Sequence, residues 1–189
     1  MHIVILGAGA LGTVLGAHLA RAGEDVTLIA RGQRAAYLQE HGATITGLVD
    51  FTVPVTVVTD PQQVHNADVL IVTVKTYDMA SALAHVKHID VGSVLSIQNG
   101  VLKDEQLAQT FGWAKVLGAM VFTGAEVLPT GTVRFTLNQG VYLGELMWLY
   151  SPGHTETRNS RSLRGVFDEP THNEKISHRI QRTRGETGR

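Results

Sequence analysis

The feature that most constrains this chain is a run of spaced glycines, Gly7-Ala8-Gly9-Ala10-Leu11-Gly12, set directly behind a short apolar stretch. That stretch, His2 to Leu6, has the form of a parallel strand buried on both faces. Beyond the glycines, Leu11, Val14, Leu15, His18 and Leu19 fall at helical spacing until Gly23 supplies a stop. Each glycine then has a physical task. Gly7 permits a tight exit from the strand, Gly9 lets backbone approach a pyrophosphate with no Cβ in the way, and Gly12 lets the helix pack close to the sheet. Free N–H groups at the start of such a helix point at phosphate oxygens. The spacing by itself is a weak signal; a strand before it and a helix behind it give it meaning.

Residues as far as Leu146 continue the alternation of strand and helix. Asp25 to Ala30 reads as a second strand, and Gln33 to Glu40 as a helix closed by His41-Gly42. Phe51 to Val58 is β-rich, with Pro54 arguing for an edge strand or a bend. Asp60-Pro61 has the form of a helix start. Asp68 to Val74 is the strongest central-strand signal, followed by a helix over Met79 to His88, a strand over Ser93 to Ile97 and a helix over Lys103 to Thr110. Val116 to Thr123, Thr132 to Leu137 and Val141 to Leu143 read as closing strands. This order predicts an α/β fold of Rossmann type over residues 1–146, with a doubly wound, mostly parallel sheet.

From residue 147 the texture changes. Between Ser151 and Arg189 the large apolar side chains are Leu163, Val166, Phe167, Ile176 and Ile180, without helical or strand period. Residues this polar bury too little apolar surface to offset their ordering entropy, so 147–189 is expected to be a disordered or poorly packed, Arg-rich tail. Its arginines lack the aromatic interleaving or helical basic stripe of a nucleic-acid surface, and no nucleic-acid partner is expected. A net charge of −1 adds no bias toward polyanions or anionic membrane. Cysteine is absent, which removes disulfides and thiolate chemistry and suits a reducing cytoplasm. The start of the chain lacks the basic region of a signal peptide, and no apolar stretch approaches the ~20 residues that cross a bilayer. A cytoplasmic location with no membrane partner is expected. His85 and His88 share a predicted helix but lack a paired carboxylate, so they read as surface positions and no metal site is expected. Nothing here sets an oligomeric state.

The end of the second strand bears on the kind of dinucleotide. An NAD site usually carries Asp or Glu ~20 residues beyond the glycine turn, on the ribose 2′-hydroxyl. Here the strand ends Leu28-Ile29-Ala30-Arg31, with Arg34 close behind and no acid until Glu40; Glu24 and Asp25 lie at its other end. Arg31 offers a planar fork of donors to a 2′-phosphate, so the expected cofactor is NADP(H). Lys75 and Asn99 follow two further strands on the side where open α/β sheets bind ligands, within reach of a cofactor; each also reads as an ordinary turn or helix-start residue.

Taken together, Gly-Ala-Gly-Ala-Leu-Gly, the Ala30-Arg31 pair, Val-Thr-Val-Lys-Thr-Tyr-Asp at 72–78 and Ile-Gln-Asn-Gly-Val at 97–101 resemble the ketopantoate reductases (2-dehydropantoate 2-reductases). Gly118 to Arg134, with Thr123-Gly124-Ala125-Glu126, and Leu143-Gly144-Glu145 are similar to that family as well. The resemblance covers residues 1–146. It implies reduction of 2-dehydropantoate to pantoate by hydride transfer from NADPH, a step of pantothenate and coenzyme A synthesis. By the family's pattern, Gly7, Ala8, Gly9, Ala10, Leu11 and Gly12 hold the pyrophosphate. Arg31 and Lys75 face the 2′-phosphate, Asn99 lies near nicotinamide and substrate, and Ala125 borders the nicotinamide pocket. Members continue into a helical domain that supplies a catalytic lysine and a glutamate, and nothing after Leu146 resembles it. Lys175 lacks the expected surroundings, so no residue is assigned the catalytic role. A reading-frame shift or truncated gene would produce such a break. Two alternatives stand beside the reductase: a non-catalytic NADP(H)-binding fragment, and a reductase of another 2-oxo acid.

Overall fold

A computed structural model describes residues 1–145 and the pair 161–162. The elements begin β1 (His2–Leu6), α1 (Ala10–Arg21), β2 (Asp25–Ile29), α2 (Gly32–His41), β3 (Ala43–Gly47), β4 (Phe51–Val53) and β5 (Thr56–Val58). They continue β6 (Asn66–Val72), α3 (Met79–Val86), β7 (Asp90–Ser96), α4 (Lys103–Phe111), β8 (Val116–Val127), β9 (Val133–Glu145) and β10 (Arg161–Ser162).

All the strands join one sheet in the order β4-β3-β9-β8-β7-β6-β1-β2-β5, with β10 beside β9. Pairing is parallel from β8 across to β5 and between β3 and β9. It is antiparallel for β3–β4, β8–β9 and β9–β10. The parallel run is the expected Rossmann-type sheet. Leaving aside β3 and β4, which pair at the opposite edge, the chain moves outward from β1 through β2 to β5, then returns and moves the other way through β6, β7 and β8. The direction therefore reverses between β1 and β6, which is where open α/β sheets bind ligands.

The apolar runs of β1 and β6 serve two cores at once, because alternate residues of a strand face opposite sides. Ile3, Ile5, Val69 and Ile71 pack on the side of α1 and α2. Val4, Leu6, Leu70 and Val72 pack on the side of α3 and α4. Helices on both faces are what a doubly wound sheet requires. Ile5 and Leu70 are wholly buried, and burial of such side chains stabilises by about 1.5–3 kcal/mol each. Close seating of α1 depends on its glycines: a Cβ on Gly16 would stand 2.8 Å from a Leu28 methyl.

Several local expectations change. The strand β3 follows Gly42 with only two inward apolar residues, Ala43 and Ile45, too short an alternation to read from sequence. Phe51 to Val58 bends at Pro54, which has no N–H to donate, and yields two short strands on different neighbours, β4 on β3 and β5 on β2. Asp60 does accept the Gln62 N–H at 3.0 Å, but it caps only the single turn Pro61–Gln63. The two expected strands at 132–143 are one, β9, in which Gly140 takes a φ of +116°. Apart from Arg161–Ser162, which form β10 against β9, the tail expectation lies outside the described residues. No helix among the described residues is long and apolar enough to cross a membrane.

Candidate functional site

The glycine turn sits between β1 and α1, and its geometry separates the tasks of its three glycines. Gly7 has φ +107°, a conformation that L side chains rarely adopt. A Cβ on Gly12 would stand 2.0 Å from the Gly7 carbonyl oxygen and 2.5 Å from Thr73 Oγ1, so only glycine fits. At Gly9 a Cβ would meet nothing within 4 Å, and the residue is exposed. The Thr13 N–H donates to the Gly9 carbonyl at 2.9 Å, which places the amides of Ala10, Leu11 and Gly12 ahead of the helical ladder. Leu11 turns its side chain toward the core, so Ala10 and Leu11 offer backbone to a ligand.

Behind the turn, its carbonyls are engaged by protein. Thr73 Oγ1 donates to the Leu6 carbonyl at 3.2 Å and also to that of Gly7. Arg34 Nε donates to the Ala8 carbonyl at 2.8 Å, and Thr13 Oγ1 donates to the same oxygen at 3.1 Å. The Arg34 guanidinium is half-buried, and that burial lowers its pKa, although an arginine stays charged at ordinary pH.

In front lies a cavity of about 540 Å³, walled by Gly7, Ala8, Gly9, Ile29, Ala30 and Arg31 from the β1 and β2 ends. Arg34 borders it too, and Val74, Asp78, Ser81, Ala82 and His85 close the facing side. That volume is typical of pockets holding a cofactor. Arg31 is exposed, and its side chain has no hydrogen bond or ion pair among the described residues. The open flank of Gly9, the amides at the start of α1 and a free guanidinium suit a phosphate-bearing dinucleotide. Among the described residues, Asp78 is the one carboxylate on the wall.

The structure thus brings Gly7, Ala8, Gly9 and Arg31 together around one cavity. Ala10, Leu11, Gly12, Lys75, Asn99 and Ala125 are not among the residues that line it. Lys75 is exposed just before the turn Thr76–Asp78, and Asn99 is exposed after β7. Their loops are neighbours, since a Cβ on Gly100 would lie 3.4 Å from the Thr76 methyl. Ala125, on β8, packs partly buried against the core. Close to Asn99, both polar atoms of the Gln98 amide are buried without a hydrogen-bond partner among the described residues. Lys103 Nζ donates to the carbonyls of Ser96, at 2.8 Å, and Ala119, and burial lowers its pKa. His85 is exposed on α3 as expected, yet it faces the cavity. Sequence reasoning missed the supporting work of Thr13, Thr73 and Arg34; only the proximity of Arg34 to Arg31 hinted at any of it.

Comparison with known proteins gives a consistent picture. Residues 3–148 match the family model described as Ketopantoate reductase PanE/ApbA. A 2-dehydropantoate 2-reductase of Pyrococcus abyssi is 38% identical over 137 residues, covering 72% of this chain and 45% of that protein. A crystal structure of a PanE/ApbA family ketopantoate reductase from Ralstonia eutropha superposes with TM-score 0.71 at 34% identity, covering 76% of this chain and 49% of the other. For a 2-dehydropantoate 2-reductase of Geobacter metallireducens the TM-score is 0.72 at 30% identity, covering 78% and 50%. The chain spans about half the length of the relatives it matches.

Proposed function

The chain belongs to the ketopantoate reductase family, and from that premise we propose that residues 1–146 bind NADP(H) for the reduction of a 2-oxo acid, 2-dehydropantoate, to pantoate. The observation that carries the reading is a single cavity on which the open flank of Gly9 and the unpaired Arg31 side chain converge. Gly7 to Gly12 receive the pyrophosphate on backbone amides, with no side chain at Gly9 to hold it off. Arg31 receives the 2′-phosphate, its fork of donors matched to phosphate oxygens, and by the family's pattern Lys75, next in the chain to the wall residue Val74, adds a second positive charge. Asn99 orients the substrate beside the nicotinamide, whose pocket Ala125 borders. When bound, the reduced dinucleotide supplies the hydride that goes to the carbonyl carbon. The proton for the forming alkoxide needs an acid within hydrogen-bond reach, a role that the family resemblance gives to a lysine outside residues 1–146.

That placement of the acid favours a second reading, in which this chain binds the dinucleotide without turning it over. Following nicotinamide absorbance of the 189-residue chain with NADPH and 2-dehydropantoate separates the two. Oxidation of NADPH supports the reductase; tight binding without oxidation supports the binding module. Arg31→Ala tests the phosphate assignment under either reading. NADPH is expected to bind about tenfold or more weakly, with NADH unchanged, for a lost charge-assisted contact. Equal effects on the two would remove Arg31 from that role.

A further inference from the structure

Resting on the reading of the cavity as a dinucleotide site, we propose that Arg34 is a positioning residue for it. Arg34 fixes the Ala8–Gly9 peptide so that the Gly9 N–H faces the pyrophosphate. The side chain leaves α2 and spends its donors on three separate elements. Nε donates to the Ala8 carbonyl at 2.8 Å, and a terminal nitrogen donates to Thr13 Oγ1 in α1 at 2.9 Å. The other terminal nitrogen donates to the Gly131 carbonyl in the β8–β9 turn. Tyr37 backs the arrangement. Its ring centroid lies 5.4 Å from the guanidinium carbon and occupies the space a Cβ on Gly131 would need.

A trans peptide is planar, with its C=O and N–H pointing in opposite directions. No peptide among the described residues is cis. An Ala8 carbonyl held by both Arg34 and Thr13 therefore aims the following N–H, that of Gly9, the other way. Gly9 is the exposed residue of the turn and lines the cavity. A ligand then finds this donor already oriented, and the ordering cost is met in folding rather than in binding. A planar fork spaces its nitrogens so that each meets an acceptor on a different element, whereas a lysine ammonium gathers its donors at one point. The two arginines divide the work. Arg31 touches the phosphate that distinguishes NADPH from NADH, and Arg34 acts through the loop on the pyrophosphate that both share.

The division sets the test, made by calorimetric titration of the full chain with NADPH, NADH and adenosine 2′-monophosphate, which has no pyrophosphate. Arg34→Met is expected to weaken NADPH and NADH by the same factor, about tenfold, and to leave adenosine 2′-monophosphate unchanged. Thr13→Val removes the second donor to the Ala8 carbonyl while keeping its shape, and shifts both dinucleotides in the same direction by less. It carries the test should Arg34→Met fail to fold. Arg34→Lys restores at most part of the loss. Wild-type affinities in the Arg34 and Thr13 variants overturn the inference, as does a loss of adenosine 2′-monophosphate binding as large as that of NADPH. A wild-type chain that binds neither dinucleotide overturns the site reading, and this inference with it.

Discussion

Gly9 and Gly12 stand three positions apart in one turn and answer to opposite constraints. At Gly12 an added methyl would overlap the Gly7 carbonyl, which is backbone and cannot swing aside. Gly12→Ala is therefore expected to destabilise the fold by about 1–3 kcal/mol, seen as a lower Tm. At Gly9 the methyl enters open space. Gly9→Ala should keep thermal stability within about 0.5 kcal/mol of wild type while weakening NADPH binding about tenfold. Thermal melts and titrations of the two variants check the pair, and a fall in Tm for Gly9→Ala would show that its flank is not free. These positions were legible in the sequence because the glycine pattern carries its own geometry. The support behind them was not. Arg34 and Thr13 bond to the loop across sequence separations of 26 and 5, and nothing in their local pattern announces such partners.

Element packing adds a titratable contact. Between α1 and the strands β4 and β9 lies His18, its ring centroid 5.0 Å from that of Phe51 and 5.6 Å from that of Phe135. The His18 Nδ1–H donates to the Val14 carbonyl at 2.8 Å. Burial pushes its pKa below the usual 6.5, the Arg21 charge adds to this, and the Val14 bond opposes it. The folded chain thus holds the His18 proton less tightly than the unfolded chain. Its stabilising contribution is complete above the usual imidazole value and is lost as pH falls from there toward the lowered one. Urea midpoints measured from about pH 8 to pH 5 should fall on the acid side, and His18→Leu should flatten that part of the curve. An unchanged slope in the variant would assign the acid sensitivity elsewhere. Legibility at this scale follows length. The long apolar runs of β1 and β6 were clear because both faces are buried. The strand β3 and the partners of β4 and β5 were not, because their pairing is decided by distant strands.

Across the whole molecule, the site is a product of the sheet order. The cavity draws on the ends of β1 and β2, on α3 and on Val127 at the end of β8, which are brought together by the reversal between β1 and β6. A ligand there binds the folded chain alone, so NADPH at a hundred times its dissociation constant should stabilise the protein by about 2.7 kcal/mol, read as a rise in Tm. No shift at saturating NADPH would contradict binding within the folded sheet. The fold class was legible because strand and helix alternate along the chain; the parallel joining of β3 to β9 was not, because it links residues near 45 to residues near 134. Dinucleotide binding at this cavity is tested most directly by titrating the full chain with NADPH and NADH, followed by nicotinamide fluorescence. Saturable binding of both is expected, with NADPH tighter by about tenfold or more. Equal affinities, or binding of neither, would contradict it.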